Sequence, residues 1–252
     1  MILSKAKTSL YASLSQRKMR RRHGLFVVEG AKSVADTFGS FTLEALVASE
    51  AWAADHPGLM MEAGGCAAIA PRQAIDRISS LSTSPEVLAV YRLPEPEPEP
   101  VSLPGDSLSL LVDGVQDPGN LGTLVRTAHW FGFTAVYASP ETADIFNPKA
   151  IQASMGSVAA VKVVYCSLPE LIARSGDIPV IGTLLDGEDI FHTALPACGA
   201  IVLGNEGNGL SDEVRSLVTC PLLIPPYNKV CHGESLNVAT AGAIVMALFR
   251  HH

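Results

Sequence analysis

Six short apolar runs, separated by stretches with helical spacing, dominate the second half of the chain. The runs are continuously apolar rather than alternating, which indicates strands that are buried on both faces. Such strands form parallel sheets with helices on each side, so the sequence predicts an α/β fold with a mostly parallel sheet. The predicted strands are residues 108–112, 135–138, 161–165, 180–184, 200–203 and 222–224. The predicted helices are residues 121–131, 149–156, 168–174, 212–218 and 236–249.

A proline-rich spacer precedes this pattern. Residues 94–100 alternate Pro and Glu, which favours an extended, semi-rigid backbone with repelling charges. Before the spacer, a smaller set of apolar runs and one helical pattern predict a second α/β core. We therefore expect a small α/β domain over residues 1–93, a linker over 94–106 and the larger domain over 107–252. In the small domain, the predicted strands are 25–28, 43–48 and 87–91, and the helix is 73–81.

Composition excludes two broad classes of protein. A hydrophobic content of 48% with 17% charged residues is unlike that of disordered chains. The longest nearly apolar stretch, residues 238–249, is shorter than the roughly 18 to 20 residues that a transmembrane helix needs, so we expect no membrane association. Five scattered cysteines without a C-x-x-C pair favour reduced thiols, a cytoplasmic location and no metal site. His232 beside Cys231 has no further ligand at metal-binding spacing.

The charge of the chain is strongly asymmetric. Residues 1–32 contain eight basic residues and only Glu29 as an acid, whereas the other residues contain ten basic and 24 acidic ones, a net −14. This distribution predicts a basic arm that binds nucleic-acid phosphates, although a solvated basic helix face fits the charges equally well. Residues 1–28, rich in Ser and Arg without an acid, also fit a mitochondrial targeting segment. The basic residues are Lys5, Lys7, Arg17, Lys18, Arg20, Arg21, Arg22 and Lys32.

Three loops that follow predicted strands carry the polar residues of interest. Ligands of open parallel sheets bind beyond the carboxyl ends of the strands. In the first loop, Asn120 is placed to cap the next helix, with Arg126 six residues further on. The glycine spacing of this loop matches neither a dinucleotide fingerprint nor a P-loop. Taken alone, Asn120 as a cap and Arg126 in a surface ion pair explain both residues.

The second and third loops are equally ambiguous in isolation. The second is glycine-rich, contains Glu206 and places Ser211 as a helix cap. Its glycines by themselves indicate only a tight turn between strand and helix. The third runs from Ile224 into an Ala- and Gly-rich helix, whose small side chains permit close packing with another helix.

Together and in order, the three loops resemble a known family. Asn120 with Arg126, then Leu203-Gly-Asn-Glu-Gly207, then Ile224-Pro with Glu-Ser-Leu-Asn-Val238, are similar to the three motifs of the SpoU (TrmH) family of RNA ribose 2'-O-methyltransferases, within the SPOUT superfamily. The segment from Lys18 to Lys32 resembles that family's ribosomal-protein-like substrate-binding domain. The resemblance thus covers nearly the whole chain.

The resemblance implies a C-terminal trefoil knot, S-adenosylmethionine as cofactor, a homodimer and no metal. It implies a catalytic set of Asn120, Arg126, Glu206, Ser235 and Asn237. It implies cofactor contacts from Thr183, Leu203, Gly204, Ile224 and Leu236. Two departures from the family pattern concern cofactor contact: residues 226–234 form a longer loop, and the serine usually found two places after the motif asparagine is missing.

The implied reaction is methyl transfer from S-adenosylmethionine to a ribose 2'-hydroxyl of RNA. The extra N-terminal domain favours ribosomal RNA as the substrate, because the family's minimal transfer-RNA enzymes resemble the second domain alone. A transfer-RNA 2'-O-methyltransferase and a non-catalytic RNA-binding or ribosome-assembly protein of the same fold are the alternatives. Arg126 fits two roles, as stabiliser of alkoxide charge or as base, and the sequence specifies no target nucleotide.

Overall fold

The structure is a computed structural model that describes residues 2–227 and 235–251. The chain forms two compact units. The first unit comprises Met1–Glu95 and Asp144–Ala159, and the second comprises Pro96–Ala143 and Ala160–His252. A segment from the middle of the chain is therefore part of the first unit. The domain boundaries expected from the sequence stay a prediction.

Strands and helices alternate along most of the chain. The strands are β1 Leu25–Glu29, β2 Leu43–Ala48, β3 Ala67–Ile69, β4 Val87–Arg92, β5 Leu108–Val112, β6 Ala135–Ala138, β7 Lys162–Tyr165, β8 Val180–Asp189, β9 Gly199–Leu203 and β10 Cys220–Leu223. The α-helices are α1 Lys5–Ser13, α2 Arg17–His23, α3 Ala31–Thr37, α4 Glu50–Asp55, α5 Pro57–Ala63, α6 Arg72–Ile78, α7 Pro118–Trp130, α8 Pro148–Ser154, α9 Leu168–Arg174, α10 Asp212–Arg215 and α11 Val238–His251.

The first unit is built on a mixed sheet in the order β1-β4-β2-β3. β4 pairs antiparallel with both β1 and β2, whereas β2 and β3 are parallel. One face of this sheet packs its apolar side chains against residues of α1 and α6. Aromatic rings pack together elsewhere in the unit, and the ring centroids of Phe26 and Phe146 are 4.6 Å apart. Phe146 comes from the middle segment, so that segment completes this aromatic cluster.

The second unit is built on a parallel sheet in the order β10-β8-β9-β5-β6-β7. Alternate side chains of a strand point to opposite faces, and both faces of this sheet are covered. Leu111 and Val202 pack with residues of α9 and α10 on one face. On the other face, an added Cβ at Gly242 of α11 would lie 2.5 Å from Leu124 of α7 and 2.7 Å from Leu203. A larger residue there would have to displace the ends of both leucine side chains, so glycine permits the close approach of α11 to α7 and β9.

The predicted α/β class and parallel sheet are confirmed, with differences at the ends of elements. β8 continues to Asp189 instead of ending at residue 184, and α10 ends at Arg215 instead of residue 218. Ser211 caps α10, as predicted. The prediction of Asn120 as a helix cap is wrong. α7 begins at Pro118, and its N-cap is Asp117, whose side chain accepts a hydrogen bond from the Asn120 backbone at 3.0 Å.

Candidate active site

Four of the predicted catalytic residues form one hydrogen-bonded network at the carboxyl ends of β5 and β9. The side-chain amide of Asn120 donates to the carboxylate of Glu206. The amide of Asn237 donates to Asn120 Oδ1 at 3.0 Å, and the Ser235 hydroxyl donates to the Glu206 backbone carbonyl at 3.1 Å. The network thus joins the three loops that the motif pattern singled out.

The start of α11 fixes the orientation of Asn237. Its Oδ1 accepts from the backbone N–H groups of Ala239 at 3.0 Å and Thr240 at 3.2 Å, as an N-cap side chain does. The amide oxygen is therefore turned to the helix, and the NH₂ group is left to donate to Asn120. One side chain both starts the helix and orders the network.

Asn205 holds the loop that carries Glu206, although the predicted site did not include it. Its backbone pairs in both directions with Gly209, at 2.8 and 3.0 Å. Its Oδ1 accepts from the backbone of Gly207 at 2.9 Å and Asn208 at 3.0 Å, and its amide donates to the Gly114 carbonyl at 2.8 Å. The loop is consequently closed on itself and attached to the loop after β5.

Two further residues shape the same loops. A Cβ added at Gly204 would lie 2.5 Å from the Gly209 carbonyl carbon, so only glycine fits there without a shift. Asp113, directly after β5, is buried, and its carboxylate accepts from the Ser211 backbone at 2.7 Å. The position of Asp113 at a strand end was the only sequence signal that could have identified it.

Arg126 does not join the network within one chain. Its side chain is exposed on α7, and within residues 2–227 and 235–251 it forms no hydrogen bond or ion pair. Six residues after Asn120, it lies about 9 Å further along the helix and on a different side of it. The Arg126 side chain therefore takes no part in the described contacts around Glu206.

The predicted cofactor residues cluster at one half of the sheet. Thr183 lies in β8, Leu203 ends β9, Gly204 follows it and Ile224 follows β10, and these strands are neighbours in the order β10-β8-β9. Leu236 lies just before α11 and is half exposed. Most of the predicted longer loop, 226–234, with Cys231 and His232, lies outside the described residues, since residues 228–234 are not described.

A cavity of about 480 Å³ lies at the carboxyl ends of β5, β6, β7 and β9. Its lining includes Gln116, Ser139 and Asn208 but none of the predicted catalytic or cofactor residues. Next to it, burial raises the pKa of the Cys166 thiol to about 11. At neutral pH this thiol is protonated, so it cannot serve as a nucleophile.

The predicted RNA-binding residues fall into three groups. Lys7 lies 4.0 Å from Glu44, and Lys32 lies 3.9 Å from Asp36, in exposed ion pairs of little strength. The second group is exposed and has no hydrogen bond or ion pair within the part of the chain that the structure describes; it comprises Lys5, Arg17, Lys18, Arg21 and Arg22.

The third group is Arg20 alone, for which the prediction of RNA binding is wrong. Its side chain is only 2% exposed, and its guanidinium forms an ion pair with Asp144 at 2.6 Å. It also donates to the carbonyl oxygens of Leu14 at 3.0 Å and Ser15 at 2.9 Å. A guanidinium enclosed in this way is not accessible to a phosphate, so Arg20 stabilises the first unit.

Neither a metal site nor a membrane-spanning helix is found among the residues that the structure describes. No group of three or more His, Cys, Asp or Glu side chains among them is arranged to hold a metal ion. None of their helices has the length and apolar character needed to cross a bilayer.

The fold and network together define a two-unit α/β protein with a polar site at the carboxyl ends of a parallel sheet. Residues 107–247 match the SpoU rRNA Methylase family, and residues 8–89 match the MRM3-like substrate binding domain. The chain belongs to the SpoU rRNA Methylase family.

Similar proteins include one curated enzyme and two solved structures. A 23S rRNA (guanosine(2553)-2'-O)-methyltransferase from Bacillus subtilis is 31% identical over 94% of this chain and 92% of its own. A TrmH-family protein from Porphyromonas gingivalis is 37% identical, with a TM-score of 0.83 over 100% of this chain and 99% of its own. An AdoMet-bound rRNA methyltransferase from Sinorhizobium meliloti has the same fold, with 24% identity and a TM-score of 0.83 over 99% of this chain and 96% of its own.

Proposed function

We propose that this protein transfers a methyl group from S-adenosylmethionine to a ribose 2'-hydroxyl of ribosomal RNA. The observation that carries the proposal is the network of Asn120, Glu206, Ser235 and Asn237, which is intact and joins the three loops of the family pattern. The B. subtilis relative, which spans both units, supports ribosomal RNA as the substrate.

The cofactor fits the residues at the ends of β8, β9 and β10. Gly204, Ile224 and Leu236 would hold the cofactor largely through backbone groups, with Thr183 beside them. Gly204 itself packs directly on the Gly209 backbone, which fixes the loop after β9. S-adenosylmethionine supplies an electrophilic methyl group on a sulfonium, so the protein has no need to activate the donor.

The residues of the chain must then position and activate the ribose hydroxyl. The Glu206 carboxylate, held by the Asn120 amide, is an acceptor within the network. A guanidinium is a poor proton acceptor, so we assign Arg126 to the phosphate beside the target ribose and to the negative charge that develops on the 2'-oxygen. The hydroxyl proton passes to water or phosphate. Arg126 as the base is the alternative.

Two finer features belong to the same proposal. A homodimer would bring Arg126 of one copy to the network of the other, which one chain alone does not do. Sedimentation should therefore show a dimer, and an active monomer would contradict this. We also propose that the C-terminal segment forms the trefoil knot of the family. A cytoplasmic location stays a prediction, as does the absence of a membrane role.

The first unit supports ribosomal over transfer RNA. It matches a substrate-binding domain, and its exposed cations on α1 and α2 have no partner among the described residues, Lys7 excepted. Cations of this kind would contact phosphates without reading sequence, leaving the choice of nucleotide to the second unit.

The test is methyl incorporation. Purified protein with S-adenosylmethionine labelled in the methyl group should label ribosomal RNA, and mapping of 2'-O-methyl sites should show one site lost in cells without the protein. Label in transfer RNA alone would favour the transfer-RNA alternative. A folded protein that labels neither RNA would overturn the proposal in favour of the non-catalytic one.

A further inference from the structure

The cavity at the carboxyl ends of β5, β6, β7 and β9 is large enough for a small ligand. Its volume of about 480 Å³ lies within the range of about 300 to 1,000 Å³ that is usual for ligand pockets. Leu168, Pro169 and Val214 provide an apolar wall, and Asp113 and Ser139 provide buried polar groups. An apolar wall with a few fixed polar groups is typical of a binding site.

The Asp113 carboxylate in this cavity is buried and only half satisfied. Asp113 is 6% exposed, and its Oδ2 accepts from the Ser211 backbone at 2.7 Å. Its Oδ1 accepts from no group in the part of the chain that the structure describes. Among the described residues, only Tyr11 and Arg20 have a fully enclosed side-chain atom without a hydrogen-bond partner, so Oδ1 of Asp113 is not fully enclosed. The free oxygen therefore opens to the cavity and can accept from a ligand.

The charge of the lining selects the kind of ligand. Besides Asp113 the lining includes Glu141 and Glu213, and none of its described residues is Lys, Arg or His. A phosphate would be repelled here, whereas a group with N–H donors would be attracted. At the exposed rim, the side-chain amides of Gln116 and Asn208 form no hydrogen bond with any described residue, so they are also available to a ligand.

Guanine matches these groups better than the other RNA bases do. Its Watson–Crick edge presents two neighbouring donors, N1–H and N2–H, beside the O6 acceptor, and no other RNA base has two adjacent donor groups on that edge. A carboxylate accepts from both donors, and a side-chain amide donates to O6. A metal ion does not fit, since no group of three or more His, Cys, Asp or Glu side chains among the described residues is arranged to hold one.

The cavity adjoins the hydrogen-bonded network of the candidate active site. The loop after β5 supplies Gln116 to the cavity and Asn120 to the network, and the loop after β9 supplies Asn205 to the cavity and Glu206 to the network. The predicted cofactor residues lie at the ends of β8, β9 and β10, so the target ribose would face that side of the network. A base in the cavity then belongs to a nucleotide beside the methylated one.

We propose that this cavity binds a guanine base of the RNA, next to the methylated nucleotide, with the Asp113 carboxylate as its main acceptor. The inference rests on the proposed function, because the RNA substrate supplies the base. An arginine side chain of a protein partner would also suit a carboxylate, but the position beside the active site favours a base. Asp113 is thereby a specificity-determining residue and takes no part in the methyl transfer.

The first experiment compares RNA oligomers that differ by single atoms or groups. The probe is a single-stranded dodecamer of uridines with one central guanosine, and S-adenosylmethionine is kept in excess so that the cofactor site is filled. Inosine in place of guanosine lacks only the N2 amino group and should bind about tenfold more weakly in fluorescence anisotropy, because one hydrogen bond to a charged acceptor is lost. 7-Deazaguanosine differs only at N7, away from the Watson–Crick edge, and should bind like guanosine. Equal affinities for guanosine and inosine would overturn the proposal.

The second experiment tests the acceptor in the protein. Asp113→Asn can still accept from the Ser211 backbone, but it places an NH₂ group where guanine also donates. The variant should lose the roughly tenfold preference for guanosine over inosine, with the affinity for an all-uridine dodecamer unchanged. The matched control is Asp212→Asn, an exposed acid of α10 outside the lining, which should keep the preference. An unchanged preference in Asp113→Asn would contradict the assignment.

A variant of the exposed rim keeps the test decisive if Asp113→Asn does not fold. Replacing both Gln116 and Asn208 by Ala removes the donors to O6, which guanine and hypoxanthine share. The affinities for the guanosine and inosine dodecamers should both fall about 2- to 10-fold, and that for the all-uridine dodecamer should not. Equal losses for all three oligomers would overturn the proposal.

Three outcomes separate this proposal from its rivals. If N-acetylarginine amide binds the wild type but not Asp113→Asn, and guanosine has no preference over inosine, the cavity takes a cationic protein side chain and the proposal fails. If the preference for guanosine depends on Asp113 but the wild type methylates no RNA, the proposed function fails and the guanine site stands. If RNA is methylated without any such preference, the proposed function stands and the guanine site fails.

Discussion

Replacing Arg20 by Met tests whether the first unit depends on a buried cation. The substitution keeps much of the apolar stem and removes the guanidinium. It leaves the Asp144 carboxylate without its ion pair and removes the donors to the Leu14 and Ser15 carbonyl oxygens. The first unit should therefore lose stability, whereas RNA binding should keep its dependence on salt.

The size of the loss follows from burial. Removing one partner of a buried ion pair typically costs about 3 to 5 kcal/mol. The Asp144 side chain is 18% exposed, and its other oxygen still accepts from the Phe146 backbone at 3.0 Å, so water and this bond relieve part of the penalty. We expect the free energy of unfolding of the first unit to fall by about 2 to 4 kcal/mol. Adding Asp144→Asn should restore part of it, because no unpaired charge then remains.

The assay must observe the first unit by itself, since a chain with two units need not unfold in one step. Trp52 lies in α4 of the first unit, so its fluorescence in a Trp130→Phe background reports that unit during urea unfolding. The matched control is Lys18→Met, an exposed cation of the same helix, which should change the free energy by less than about 0.5 kcal/mol. A loss below about 1 kcal/mol for Arg20→Met, or a flatter salt dependence of RNA binding, would refute the structural role.

Three other experiments probe the second unit and the basic surface. Arg126→Ala should lower turnover about 10²- to 10³-fold with S-adenosylmethionine affinity unchanged by calorimetry, and near-normal turnover would exclude Arg126 from the reaction. Gly204→Ala should weaken cofactor binding about tenfold, because its Cβ would overlap the Gly209 backbone. The control is Gly207→Ala, whose Cβ would make an ordinary contact at 3.6 Å and should leave cofactor affinity unchanged. Equal cofactor affinities of the two variants would contradict the close packing at Gly204. Neutralising the exposed cations of α2 should reduce the slope of log RNA affinity against log salt concentration by about 0.7 for each phosphate contact that is lost. Equal slopes for the variant and the wild type would show that these cations form a solvated helix face that does not contact RNA. The cations are Arg17, Lys18, Arg21 and Arg22.

The parallel sheet was predictable because buried strands leave a local signal. A run such as Leu108–Val112 is continuously apolar, and its bounds in the structure are those expected. The site was predictable only through the family pattern. The glycines and amides of the three loops fit simple turns when each loop is taken alone, and the contact from Asn237 to Asn120 joins residues that are 117 positions apart.

Arg20 was missed for the same physical reason. A cluster of cations in the sequence reports charge but not burial, and the carboxylate that encloses Arg20 lies 124 residues away. The cap of α7 was missed because Asp117 and Asn120 are both good capping residues. The choice between them was decided by Pro118, which is well suited to the first helical position.

The middle segment of the first unit has a consequence for how the chain is made. When residue 95 leaves the ribosome, the first unit still lacks Asp144–Ala159. At about 5 to 20 residues per second, residues 96–159 take about 3 to 13 seconds to be synthesised. During that interval Arg20 has no carboxylate partner and Phe26 has no Phe146. The nascent first unit therefore stays incomplete until β5, β6 and the segment after them have been translated. A gene that ends at the proline-rich spacer would encode a first unit that permanently lacks Asp144–Ala159.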